Sequence, residues 1–76
     1  MTAADLRDIF LAILVRETGG SRRHWRLVLG EIRIYALSTH PHCNWAINPS
    51  GSVRDIARVE RVCDDLRGRH PIVTGR

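Results

Sequence analysis

The chain contains no lysine, and its twelve basic residues are all arginine. Set against eight acidic residues, they give a formal net charge of +4 at pH 7. A guanidinium group is a planar fork of donors that matches the geometry of carboxylate and phosphate. The excess of positive charge therefore favours an anionic partner, either nucleic acid or an acidic protein surface.

The chain is also poor in cysteine and has no long hydrophobic run. Two cysteines, Cys43 and Cys63, exclude a disulfide-rich scaffold, and the first residues lack the basic start of a secretory signal. The longest apolar run, from Ile9 to Val15, is far shorter than the roughly 20 residues that a membrane-spanning helix needs. We therefore expect a cytoplasmic protein with reduced thiols and no membrane partner.

The length allows one hydrophobic core, because 76 residues are too few for two. The apolar share, 43%, is ordinary for a globular chain and well above that of disordered segments. Residues 1–76 are therefore predicted to form a single domain.

A helix is predicted from Ala3 to Thr18. Thr2 and Asp5 fit a capping box, and Gly19-Gly20 provides the stop. One face of this helix is apolar; it comprises Leu6, Ile9, Phe10, Ile13 and Leu14. Leu11 and Val15 lie outside this stripe, which leaves two readings open: the helix is buried over a wide arc, or this edge meets another chain.

Residues 24–37 predict a β-hairpin with a turn at Gly30-Glu31, since glycine is required at the first position of a type II′ turn. The predicted register places six apolar side chains on one face: Trp25, Leu27, Leu29, Ile32, Ile34 and Ala36. The other face then carries Arg26, Arg33 and Tyr35. The alternative is one long strand with a bulge at Gly30.

Two further elements complete the prediction. Residues 43–47 alternate in polarity, which is typical of a short third strand, and Pro49 then ends the ladder. Ser52 and Asp55 fit the capping box of a second helix that ends at Gly68. The apolar face of that helix comprises Ile56, Val59, Val62, Cys63 and Leu66.

The predicted fold class is α+β. It is a two-layer α-β-β-β-α domain, with a three-stranded antiparallel sheet and two helices packed on one of its faces. The other sheet face stays open and carries Arg26, Arg33, Tyr35 and Asn44. The order of elements resembles that of double-stranded-RNA-binding domains in topology alone, because Val53-Arg54-Asp55 stands where that family carries lysines.

Two surfaces are predicted to bind a polyanion, with nucleic acid as the leading hypothesis. The first is the start of the last helix and its basic stripe: Ser50, Ser52, Arg54, Arg58 and Arg61. The second is Arg26 and Arg33 around Tyr35, whose ring would stack on a base. The competing interpretation is an ordinary capped helix with a solvated face, in which Arg61 pairs with Asp65.

Two other functions remain open from the residues. His40, His42 and Cys43 are weak candidates for a metal site, since their spacing fits no common zinc pattern. A protein–protein module or homodimer would use Leu11 and Val15 or the edge of the third strand. Enzyme activity and a cofactor are not expected, because no catalytic constellation or dinucleotide-binding loop is present.

Overall fold

The computed structural model describes residues 1–74, and in that range the chain forms three helices and one two-stranded antiparallel sheet. The elements are α1 (Ala3–Thr18), α2 (Arg22–Leu29), β1 (Arg33–Ile34), β2 (Trp45–Ala46) and α3 (Val53–Arg69). The fold is mixed α+β and mostly helical. The predicted three-stranded sheet covered by two helices is therefore wrong, and the topological resemblance to double-stranded-RNA-binding domains does not hold.

The first helix has the predicted bounds. Its capping box is reciprocal: the Asp5 N–H donates to Thr2 Oγ1 at 3.1 Å, and the Thr2 N–H donates to Asp5 Oδ2 at 3.0 Å. The bond from the Thr2 backbone is the main cause that lowers the pKa of Asp5. Leu11 is fully buried and Val15 half-buried. The wide apolar arc of α1 is thus covered by its own chain, and Leu11 is not available to a second copy.

The predicted hairpin is replaced by α2. Ser21 caps this helix by accepting the His24 N–H at 3.0 Å, and Gly30 ends it with a positive φ of 70°. Trp25, Val28 and Leu29 are buried, whereas Leu27 is 69% exposed. Buried positions at i, i+3 and i+4 follow the period of a helix and not that of a strand.

The sheet that does form joins two short strands. Arg33 pairs with Ala46, and Ile34 pairs with Trp45. β2 lies inside the predicted third strand, so only that part of the strand prediction is confirmed. The predicted hairpin register, with Trp25, Leu27 and Leu29 on one strand, is wrong because residues 22–29 are helical.

The C-terminal segment is held against β2 by Asn44. The Asn44 side chain donates to Val73 O at 2.7 Å and accepts the Val73 N–H at 2.8 Å. The Asn44 backbone N–H donates to Pro71 O, and its carbonyl accepts the Tyr35 N–H. Asn44 is 3% exposed. Its predicted place on an open sheet face is therefore wrong.

The helices meet in one core that includes both tryptophans. Trp45 packs edge-to-face against Phe10 with ring centroids 5.8 Å apart. Both indoles are buried, and each indole N–H has a partner: Trp25 donates to Gly19 O and Trp45 to His70 O, both at 2.8 Å. Four of the five residues on the predicted core face of α3 are buried, Val59, Val62, Cys63 and Leu66, whereas Ile56 is half-buried.

Within residues 1–74, no helix has both the length and the apolar character needed to cross a bilayer.

Candidate functional site

Three arginines lie along one flank of α3, and we call Arg54, Arg58 and Arg61 the arginine flank. Their spacing of i, i+4 and i+7 places them on one side of a helix over about 10 Å of its axis. Arg54 and Arg61 are exposed, and Arg58 is half-buried. The structure therefore brings these predicted residues together as one basic row.

Two shallow recesses open along the arginine flank. The first has a volume of about 200 Å³ and is lined by Thr18, Trp25, Arg54, Asp55 and Arg58. The second has a volume of about 350 Å³ and is lined by Ile13, Glu17, Arg61, Val62, Asp65 and Arg69. Both combine residues of α1 and α3. The arginine flank thus borders a surface depression between these two helices.

Two of the acidic side chains nearby are engaged with other residues of the chain, and a third, Glu17, is exposed beside Arg61 in the second recess. Asp55 Oδ2 lies 3.0 Å from His24 Nε2, and Asp65 Oδ2 lies 3.5 Å from Arg69 Nε. The Arg61–Asp65 pair of the competing interpretation is thus replaced by Asp65–Arg69. Among residues 1–74, no carboxylate lies within ion-pairing distance of the arginine flank. Its three guanidinium groups are therefore available to an external anion.

Polar groups at the start of α3 form hydrogen bonds within the fold. Ser52 Oγ accepts the Asp55 N–H at 3.1 Å, which confirms Ser52 as the N-cap. The Ser50 N–H donates to Val28 O at 2.9 Å. The Asp55 carboxylate also places negative charge in the first turn, where it already complements the helix dipole. Of the residues predicted to hold an anion here, Arg54 is the one whose charged group remains free.

The second predicted surface is divided between elements. Arg26 lies on α2 and Arg33 on β1, and both are exposed. Tyr35 follows β1, and its ring stacks on the His40 ring with centroids 4.3 Å apart and an interplanar angle of 19°. The predicted placement of Arg26 beside Tyr35 on one sheet face is wrong because Arg26 is helical. One face of the Tyr35 ring is already covered.

The weak metal candidates do not gather further ligands. His40 Nδ1 lies 2.9 Å from Thr39 Oγ1, and Cys43 Sγ lies 3.5 Å from Trp45 O. His42 is exposed. Across residues 1–74 there is no group of three or more His, Cys, Asp or Glu side chains placed to hold a metal ion. Burial raises the pKa of the Cys63 thiol, which favours its neutral form.

Two residues with important contacts were missed at the sequence level. The first is His24, which was placed in a hairpin but joins the first turn of α2 to that of α3 through Asp55. Ser21 three residues earlier is a helix N-cap signal that would have indicated its helical position. The second is Asn44, whose low strand propensity was the only available sign of a special role.

Comparisons with protein-family models, with curated proteins and with solved structures found no match for this chain.

Proposed function

We propose that the protein is a small interaction module of the cytoplasm that binds nucleic acid through the arginine flank. The observation that carries this proposal is the row of three guanidinium groups on one side of α3, with no carboxylate of residues 1–74 within ion-pairing distance. Charge-assisted hydrogen bonds from arginine to phosphate are among the stronger polar contacts that proteins make. The cytoplasmic assignment is supported by the free thiols of Cys43 and Cys63.

A nucleic-acid backbone suits this surface better than an isolated anion does. The guanidiniums repeat once per helical turn, so a linear array of phosphates can engage all three together. The depression between α1 and α3 gives the backbone room to approach. Arg26 and Arg33 lie on other elements and would add long-range attraction without forming part of the same row.

The test compares two double variants with equal loss of charge. Arg54→Gln with Arg61→Gln removes two members of the arginine flank, and Arg7→Gln with Arg23→Gln removes two exposed arginines elsewhere. We expect the first pair to weaken DNA binding at least about tenfold, because two charge-assisted contacts are lost. The control pair should weaken it by no more than about threefold, through long-range attraction alone.

Fluorescence anisotropy at low salt measures both affinities, and circular dichroism checks that each variant is folded. Equal losses in the two pairs would show that binding follows net charge and not the arginine flank. If neither duplex nor single-stranded probes bind the unaltered protein at low salt, the proposal is wrong.

A further inference from the structure

We propose that the arginine flank takes double-stranded nucleic acid by its phosphates and does not take single strands by their bases. This inference deepens the proposed function and rests on it. It follows from three observations: the burial of the Phe and Trp rings, the absence of any carboxylate of residues 1–74 within ion-pairing distance of the arginine flank, and the acidic residues on the neighbouring side of α3.

The aromatic rings of the described chain are not placed to stack on bases at this flank. Trp25 and Trp45 are 4% and 2% exposed, and Phe10 is fully buried. Trp25 lines the first recess, but its indole N–H is bonded to Gly19 O. Tyr35 follows β1 with one ring face covered by His40. Proteins that hold single strands gain much of their affinity from exposed rings on which successive bases stack.

Without base stacking, attraction to phosphate is the main remaining contribution to the affinity for nucleic acid. A duplex carries one negative charge per roughly 1.7 Å of its axis and therefore a denser field than a single strand. The salt dependence per neutralised phosphate is also steeper for a duplex than for a single strand. A surface that offers guanidiniums alone therefore favours the duplex.

The acidic side chains of α3 limit how the helix can approach a duplex. Glu60 and Asp64 are exposed and line a recess with Ile47 and Pro49, to which no residue of α1 contributes. If α3 entered a groove with its outer face, these carboxylates would approach the phosphates and be repelled. Contact along the arginine flank keeps Glu60 and Asp64 away from the phosphates, and Asp65, which lines the second recess beside Arg61, is paired with Arg69. Binding is therefore expected to involve the backbone and to show no sequence preference.

The experiment measures affinity for a short mixed-sequence DNA duplex, for each of its separated strands, and for a duplex of scrambled sequence. At 50 mM salt we expect the duplex to bind about sixfold more tightly than either strand, because three phosphate contacts release about 0.6 more counterions from a duplex than from a single strand. The scrambled duplex should bind equally well. Tyr35→Leu, once shown to be folded, should leave all of these affinities unchanged.

Tighter binding of a single strand, or loss of single-strand binding in Tyr35→Leu, would overturn this inference while leaving the proposed function intact. A marked preference between the two duplex sequences would overturn the backbone-only mode. Absence of binding to every probe at low salt would instead remove the proposed function itself, and this inference with it.

Discussion

Asn44 shows how one side chain can replace a length of strand pairing. Its amide donates to the Val73 carbonyl and accepts the Val73 N–H, as a neighbouring strand would do. Among the described side chains, no buried nitrogen or oxygen lacks a partner. Within residues 1–74, Asn44 is the one buried polar residue, and its own side chain meets this requirement through Val73.

Asn44→Ala should lower the free energy of unfolding by about 2 to 4 kcal/mol, because it leaves two backbone groups of Val73 without a partner. A domain of this size has a total stability of roughly 4 to 11 kcal/mol, so the loss would be large. Urea denaturation measures it. The matched change is Asn48→Ala at an exposed position, expected within about 0.5 kcal/mol of the unaltered protein. Equal effects of the two changes would contradict the role assigned to Asn44.

At the scale of elements, the two long helices were predictable and the short one was not. α1 and α3 each carry a capping residue and an apolar face that repeats over several turns, so local and periodic signals agree. In residues 22–29, Trp25 and Leu29 satisfy both a strand and a helix pattern. Leu27 and Val28 distinguish the two patterns. The hairpin prediction placed Leu27 on the apolar face, whereas in the structure Leu27 is exposed and Val28 is buried.

The choice at Leu27 and Val28 depends on tertiary contacts that the sequence does not display. Val28 packs near Gly51: a Cβ added to Gly51 would lie 3.6 Å from Val28 Cγ2. The Val28 carbonyl also accepts the Ser50 N–H. Gly30 did not discriminate, because glycine with a positive φ suits both a hairpin turn and a helix end. The N-cap at Ser21 was the one local signal that favoured the helix.

Ser50 and Ser52 are expected to differ in what they do for α3. Ser52→Ala should destabilise the protein by about 1 kcal/mol, because it removes the acceptor for the Asp55 N–H. Ser50→Ala keeps the backbone bond to Val28 and should change stability little. Thermal unfolding of both variants measures the difference. A larger effect from Ser50→Ala would contradict the assignment of Ser52 as the cap.

At the scale of the whole molecule, the candidate site was predictable only where the helix or strand that carries its residues was predictable. Arg54, Arg58 and Arg61 share a flank because they follow the period of a helix that the sequence predicts well. Arg26, Arg33 and Tyr35 were grouped by a hairpin that does not form, so that surface was not predictable. The depression between α1 and α3 depends on how the helices pack, which no local pattern specifies.

Also at the scale of the whole molecule, the two ends of the described range, residues 1–74, close on each other. The Thr74 N–H donates to Met1 O at 2.8 Å, and Thr2 and Thr74 form a parallel bridge. This closure lies at the start of α1, whereas the arginine flank borders residues from the second half of that helix.

The salt dependence of duplex binding tests the central claim most directly. Three phosphate contacts predict that log K falls with log salt at a slope of about −2.7, which is about a 40-fold loss between 50 and 200 mM. Arg61→Gln should reduce that slope by about 0.9, and Arg7→Gln should leave it unchanged. A slope near zero in the unaltered protein, or the same slope in Arg61→Gln as in the unaltered protein, would contradict binding through the arginine flank.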